Sequence, residues 1–405
     1  MDGQTLTPLW QFGSLSNQMD GVSPWSGLIQ GRDGNFYGTD GGTGVVHCTV
    51  FKITSDGTLT PLWQFGNLST NADGDSPLAG LVQGSDGDFY GTASRGGTNR
   101  AGTVFKITST GTLTTLWQFG SLSNQMDGAS PSAGLIQGGD GDFYGTTSGD
   151  GQHNYGTVFR IGADGSFTSL HQFVNLVTDG AGPNGILTQG RDGNFYGTTS
   201  GGGTNNNGTV FKITAEGTLT TIWHFGSLSN NMDGKWPLAG LVQGSDGSFY
   251  GMAAYLGTKL GGTAFQITTT GTLTVVWQFR SLPNAADGAT PLARLVQGSD
   301  GSFYGTTAFG GTNGSYGTVF KLTVPLNPPA NQISSVCVAD TNIVLAIPSV
   351  AGETYQLQYR ADLISGDWSN VVDACVSNSI GALLTVTNFG GALAPQGFYR
   401  FDITP

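Results

Sequence analysis

Glutamate is almost missing from this 405-residue chain: Glu216 and Glu353 are the two it has, so the net charge of −12 rests on aspartate. Aspartate bonds its own backbone and tolerates the left-handed region, which glutamate does poorly, so the bias reads as turn chemistry. Charge of either sign is scarce, at 10% of residues. Amphipathic helices are therefore disfavoured, and a basic footprint for nucleic acid or anionic lipid is absent from an acidic chain of pI near 4.5. No run of 18 apolar residues occurs, which excludes a helical membrane span. Three cysteines do not make a disulfide scaffold. HExxH, GxSxG, P-loop and CxxC patterns are all missing, and with two glutamates a glycosidase would need aspartate for both its roles. The opening "MDGQTLTPLW" lacks the basic and apolar regions of a signal peptide. Between a cytosolic protein and a mature form with an added methionine, the composition favours the second, secreted or at the cell surface.

What the chain has in abundance is glycine, 68 residues, and one repeated phrase. "DGNFYGT" stands at Asp33 to Thr39 and again, letter for letter, at Asp192 to Thr198, with four near copies. The Phe-Tyr pair begins at Phe36, Phe89, Phe143, Phe195, Phe249 and Phe303, in steps of 53, 54, 52, 54 and 54. Around each copy four segments recur: an apolar run such as "GLVQG", then "FYGT", then "TVFKIT", then "TLTTLWQF". They are filled with Val, Ile, Thr and aromatics and separated by Gly and Asp, which predicts four antiparallel strands per repeat. Six such units at this period give an all-β, six-bladed β-propeller over residues 1–324. The chain opens on a fourth strand, Leu6 to Phe12, and its repeats end on a third strand near Phe320. The N-terminal strand is therefore expected to complete the last blade and remove its open edges.

The phrase "GLVQGSDGSFYG" at Gly240 to Gly251, with "GTVFKIT" and "GGTN" elsewhere, resembles the Gly-rich tandem repeats of the bacterial GloVer family over roughly residues 5 to 323. That resemblance implies a surface or secreted protein, and because the family is defined by its repeat it brings no catalytic residues.

A Pro-rich linker follows at residues 325–332, with Pro325, Pro328 and Pro329 acting as a semi-rigid spacer. Residues 333–405 then read as a small β-sandwich of the immunoglobulin or fibronectin kind. The segment "YQLQYRADLISGDW" with the terminal "FYRF" is similar to C-terminal modules of secreted bacterial proteins. Cys337 and Cys375 both fall there and are either a disulfide or two buried thiols. Cys48 reads as a small core residue.

The two long connections of every repeat share one face, the place for grafted function. Six aspartates recur there, each four residues before a proline: Asp20, Asp73, Asp127, Asp179, Asp233 and Asp287. As a ring they are candidate Ca²⁺ ligands; as Asp-Gly turns they need no ion. Catalysis requires an asymmetric cluster, so departures from the repeat are the better candidates. His47, Arg95, Arg100, His153 and Tyr155 interrupt the early loops, and Lys235, Trp236, Tyr255 and Lys259 interrupt the fifth repeat. An aromatic beside a basic residue suits a sugar ring or a uronate carboxylate, in a lectin or a polysaccharide lyase. His171 and His224 stand in fourth strands as packing residues. The reading that covers most of the chain is a non-enzymatic structural or adhesive protein without a cofactor. Its expected partners are copies of itself, other surface proteins or polysaccharide.

Overall fold

The computed structural model describes residues 7–15, 19–41, 48–66, 68, 71–149, 154–313 and 315–324, and the strands 335–339, 342–348, 354–360, 369–377, 383–388 and 398–404. Two compact units emerge, one of Met1–Gln243 with Phe249–Leu322, the other of Gly244–Ser248 with Thr323–Pro405. The linker assigned to 325–332 lies outside the described residues.

The first unit is a β-propeller-type array of antiparallel sheets, one per repeat, with strands in sequence order. In the second repeat these are Val82–Gln83, Phe89–Ala93, Thr103–Ile107 and Leu113–Gln118. The inner strand has two residues in every repeat, because a glycine follows at once and turns the chain. The recurring phrase builds that turn. In the first repeat Gly34 takes the left-handed region at φ +83°, and Asp33 accepts the Asn35 N–H at 3.1 Å and the Tyr37 hydroxyl at 2.7 Å. The glycine after each tyrosine is required by packing: a Cβ on Gly38 would lie 2.7 Å from the Phe51 ring and from Leu28.

Aromatic rings join one repeat to the next. Tyr37 stacks on Phe89, Tyr90 on Phe143, Tyr144 on Phe195 and Tyr196 on Phe249, with centroids 3.8 to 4.0 Å apart, and Tyr250 meets Phe303 at 4.1 Å. A second series runs edge to face from the end of each fourth strand to the next third strand, as in Phe65 on Phe105 and Phe279 on Phe320. Such pairs add about 0.5–1.5 kcal/mol each beyond the area they bury. The phrase therefore recurs because one seam recurs.

The two ends of the array differ from its middle. Leu6 lies outside the described residues, and 7–11 form no strand; the last sheet has three strands, Val296–Gln297, Phe303–Thr307 and Thr318–Leu322. A strand exists through the ladder to its neighbour, and here that neighbour is open: Val319 is 82% exposed, where Val50, Val104, Val158 and Val210 are fully buried. The expected closing strand is thus not formed as a strand. Its residues nevertheless stand in a fourth-strand position against the first sheet. Phe12 meets Phe51 edge to face at 5.2 Å. The Leu9 carbonyl crowds Gly57 as the Leu62 carbonyl crowds Gly111.

The second unit consists of two three-stranded antiparallel sheets. One pairs Ser335–Ala339, Asn342–Pro348 and Leu383–Asn388; the other has Thr354–Arg360 between Ser369–Ser377 and Phe398–Thr404. Leu345 on one sheet and Leu357 on the other are buried, the mark of a sandwich. Cys337 and Cys375 lie on different sheets, and their side chains are outside what is described.

Candidate functional site

The long loops are held by the aspartates. In the third repeat Asp127, fully buried, accepts the Trp117 indole N–H at 3.1 Å and the Ser121 and Leu122 amides at 2.9 and 3.4 Å. The same tie joins Trp10 to Asp20, Trp63 to Asp73, Trp223 to Asp233 and Trp277 to Asp287 at 3.0 to 3.1 Å. Burial by itself would raise Asp20, but the Trp10 indole and the Ser14 and Leu15 amides outweigh it and hold the carboxyl below the usual value. In the fourth repeat His171 replaces the tryptophan. Its Nε2 stands 3.7 Å from Asp179, which accepts instead from the Asn175 amide at 3.3 Å and the Thr178 hydroxyl at 2.7 Å. Each carboxylate thus faces donors of its own loop. Among the described residues no three of His, Cys, Asp and Glu gather as a metal would require.

The two loops of a repeat share one face, locked by short bridges in the second to sixth repeats: Asp75 with Arg95, Ala129 with Gly149, Ala181 with Gly201, Lys235 with Tyr255 and Ala289 with Phe309. In the fifth repeat this brings three of the expected residues together. The Tyr255 ring meets the Trp236 ring edge to face at 5.2 Å, and the Lys235 Nζ lies 4.5 Å over the Trp236 ring. Trp236 is 41% and Tyr255 39% exposed, an aromatic and cationic surface open to solvent. Lys259 is exposed on the same loop. In the second repeat Arg95 is exposed on the bridge, and Arg100 lines a groove of about 370 Å³ with Asn71, Gly96, Gly97 and Thr98. An adjoining groove of about 480 Å³ runs past Thr98, Asn99, Trp117 and Gln118. Tyr155 is not part of such a surface: it packs half-buried against the core of Val158, Phe173 and Phe211. His47 and His153 lie outside the described residues.

Comparison with known proteins follows the repeat. The sequence pattern of the Gloeobacter/Verrucomicrobia repeat matches residues 1–139, 47–233 and 131–336. The chain belongs to that repeat family. No curated protein matches this family member. Similar solved structures include puromycin hydrolase, at 11% identity and a TM-score of 0.47, covering 84% of this chain and 52% of that one. They also include the extracellular domain of a hybrid two-component system from B. thetaiotaomicron, at 11% and 0.40, covering 80% and 43%. A third is the polysaccharide lyase Uly1, at 11% and 0.40, covering 80% and 86%. The chain spans about half or less of the length of the first two.

Within the repeat family framework two exposed aromatics escape a reading by deviation alone. Phe309, on the bridge of the sixth repeat, is 52% exposed and Tyr316 90%. The signal was present in "AFGGTNGSYG", where the third and fourth repeats carry Gly149 and Gly201 at the position of Phe309.

Two histidines give the repeat unit a pH dependence. Burial lowers His224 below its ordinary 6.5, and its Nδ1 accepts the Thr204 amide at 3.3 Å. Burial also lowers His171, against the attraction of Asp179. A folded-state value below the unfolded one means that the unfolded chain binds the proton more readily. Stability is then full above about 6.5 and is lost as pH falls below it. We expect the urea midpoint of the repeat unit to drop between pH 7.5 and 5.5. The drop should shrink in His224→Gln, which restores the amide acceptor used by Gln118 toward Thr98. An unchanged slope in that variant would assign the effect elsewhere.

Cys48 is buried and donates to Asp75 Oδ1 at 3.3 Å. Burial pushes its thiol up to about 12, which makes it a packing residue at neutral pH.

Proposed function

We propose that this chain is a secreted or surface-exposed, non-enzymatic protein with a structural and adhesive role. The repeats serve as a rigid block and the C-terminal module as a connector. One observation supports this above the others: the aspartates that recur in the repeats are, in most of them, committed to local bonds. Aspartates tie the tryptophans and loop amides at one end of the sheets and the tyrosine hydroxyls at the other. Such groups multiply a shape, and what varies between repeats is confined to the exposed loop face. No helix among the described residues is long and apolar enough to cross a membrane, and contact with polysaccharide or other surface proteins is the adhesive role that fits that loop face.

The test uses the full chain and envelope polysaccharide extracted from the producing cells. Saturable binding with the polymer length unchanged is the expected result. Shortening of the polymer with release of unsaturated uronate would replace this reading with that of a lyase. Absence of binding both to envelope material and to the cells themselves would remove the adhesive role.

A further inference from the structure

Every repeat places one residue in the left-handed region just after its Asp-Gly turn. In five of six this residue is small: Ser23, Ser76, Ser130, Gly182 and Thr290, at φ of +55°, +59°, +57°, +62° and +57°. The fifth repeat puts Trp236 there, at φ +58°. A bulky side chain is disfavoured in this conformation, and the indole is still 41% exposed. Its surroundings depart from the repeat in concert. The bridge beside it carries Lys235 and Tyr255, where the third and fourth repeats have Ala129 with Gly149 and Ala181 with Gly201. The frame is rigid: Lys235 and Tyr255 exchange both backbone bonds at 2.8 and 3.0 Å, and the Trp236 amide and carbonyl bond Asn207 and Ala254 at 2.9 and 3.1 Å. Neither Lys235 nor Lys259 belongs to an ion pair among the described residues. In a chain with 27 acidic and 15 basic residues, a cation over an open ring, with a second exposed on the loop of Tyr255, forms a local exception.

We propose that Lys235, Trp236 and Tyr255 form a preorganised binding site for an acidic polysaccharide, one built of uronic acid units, with Lys259 at its edge. The C–H face of a pyranose stacks on the open aromatic surface, and a uronate carboxylate reaches the Lys235 ammonium held over the indole. Preorganisation matters because a fixed backbone and paired rings lose little freedom on binding. The charge of the ligand follows from the cations, since a neutral sugar would leave them unused. This inference rests on the adhesive reading and names its partner.

The experiment is calorimetric titration of the full chain with size-defined oligomers of galacturonate, glucuronate and mannuronate, and with galactose oligomers as the neutral match. We expect saturable binding to at least one uronate series, weakening as salt is added, and none of comparable strength to the neutral series. Trp236→Ser, which restores the residue of three other repeats, should keep the melting temperature and weaken uronate binding at least tenfold. Lys235→Ala should erase the preference for acid over neutral. Arg32→Ser, at the opposite turn end of the first repeat, should leave binding unchanged. Uronate binding that survives Trp236→Ser, or equal binding of neutral oligomers, overturns the site. A chain that binds envelope polysaccharide but no uronate oligomer overturns this inference and leaves the adhesive role standing; one that binds neither of these nor the producing cells overturns both.

Discussion

A chain lacking residues 1–12 should unfold several degrees below the full chain, although the described residues 7–12 form no strand and four of these six are exposed. Two anchors explain this. Trp10 donates its indole N–H to the fully buried Asp20 at 3.0 Å, and Trp10 and Phe12 cover Phe51, Ile53 and Leu59. Removing the indole takes a donor from a buried carboxylate, which costs about 1–3 kcal/mol. Exposing Phe51, Ile53 and Leu59 by loss of the two half-buried aromatics adds ~2–3 kcal/mol at about 25 cal/mol per Å². A loss of ~3–6 kcal/mol is a large part of any domain's stability. Urea titration followed by tryptophan fluorescence measures it, and an unchanged midpoint would show that the segment is dispensable.

The same segment bears on closure of the ring. The third and fourth strands of the first repeat pair Thr49 with Gln64, Val50 with Trp63 and Lys52 with Thr60. By the same register the last sheet would pair Thr318 with Gln11, Val319 with Trp10 and Lys321 with Thr7. Tyr304, 36% exposed where its five equivalents are fully buried, would then face Phe36. Cysteines introduced at Thr7 and Lys321, with the three native cysteines replaced, test this closure directly. An oxidised monomer with a mapped Thr7–Lys321 link supports a ring closed within one chain. Covalent dimers and longer ladders would mean that the two ends meet between copies, and the absence of any link would end the closing-strand idea.

Asp127→Ala should destabilise the repeat unit by ~3–5 kcal/mol, while Asp179→Ala costs about 1 kcal/mol. The two positions are equivalent in sequence, and the difference lies in what they hold. Asp127 is fully buried and satisfies the Trp117 indole and two amides, all left without an acceptor in the alanine variant. Asp179 lacks the tryptophan, and its bonds to Asn175 and Thr178 lie at the surface, where water replaces them. Trp117→Phe should cost less than Asp127→Ala, and the double variant less than the sum, because both single changes break the same bond. Additive costs would show that the indole and the carboxylate act independently.

Much of the fold was legible in the sequence because its determinants are local. The 52- to 54-residue period, the alternation of strands and the Asp-Gly turns are written within a few residues of where they act. The antiparallel order then placed the long loops on one face, and the bridges from Asp75 to Arg95 and from Lys235 to Tyr255 bear that out. Less could be read of the individual residues. The six aspartates were open to a metal reading because sequence does not say that the carboxylate ten residues after each tryptophan turns back to its indole. Tyr155 and Tyr255 both looked like loop aromatics; one packs half-buried against a core cluster, and the other is 39% exposed beside Trp236.

By itself, then, the sequence determined the number of repeats, the strands within each and the positions that need glycine, since turn conformation and strand pattern depend on neighbours along the chain. Tertiary structure alone decided which side chains meet: that Lys235, Trp236 and Tyr255 converge across a bridge joining segments some twenty residues apart, and that the end sheets keep surfaces their neighbours bury. Those outcomes depend on the register between loops and on which sheet lies next to which, and neither is a property of spacing along the chain.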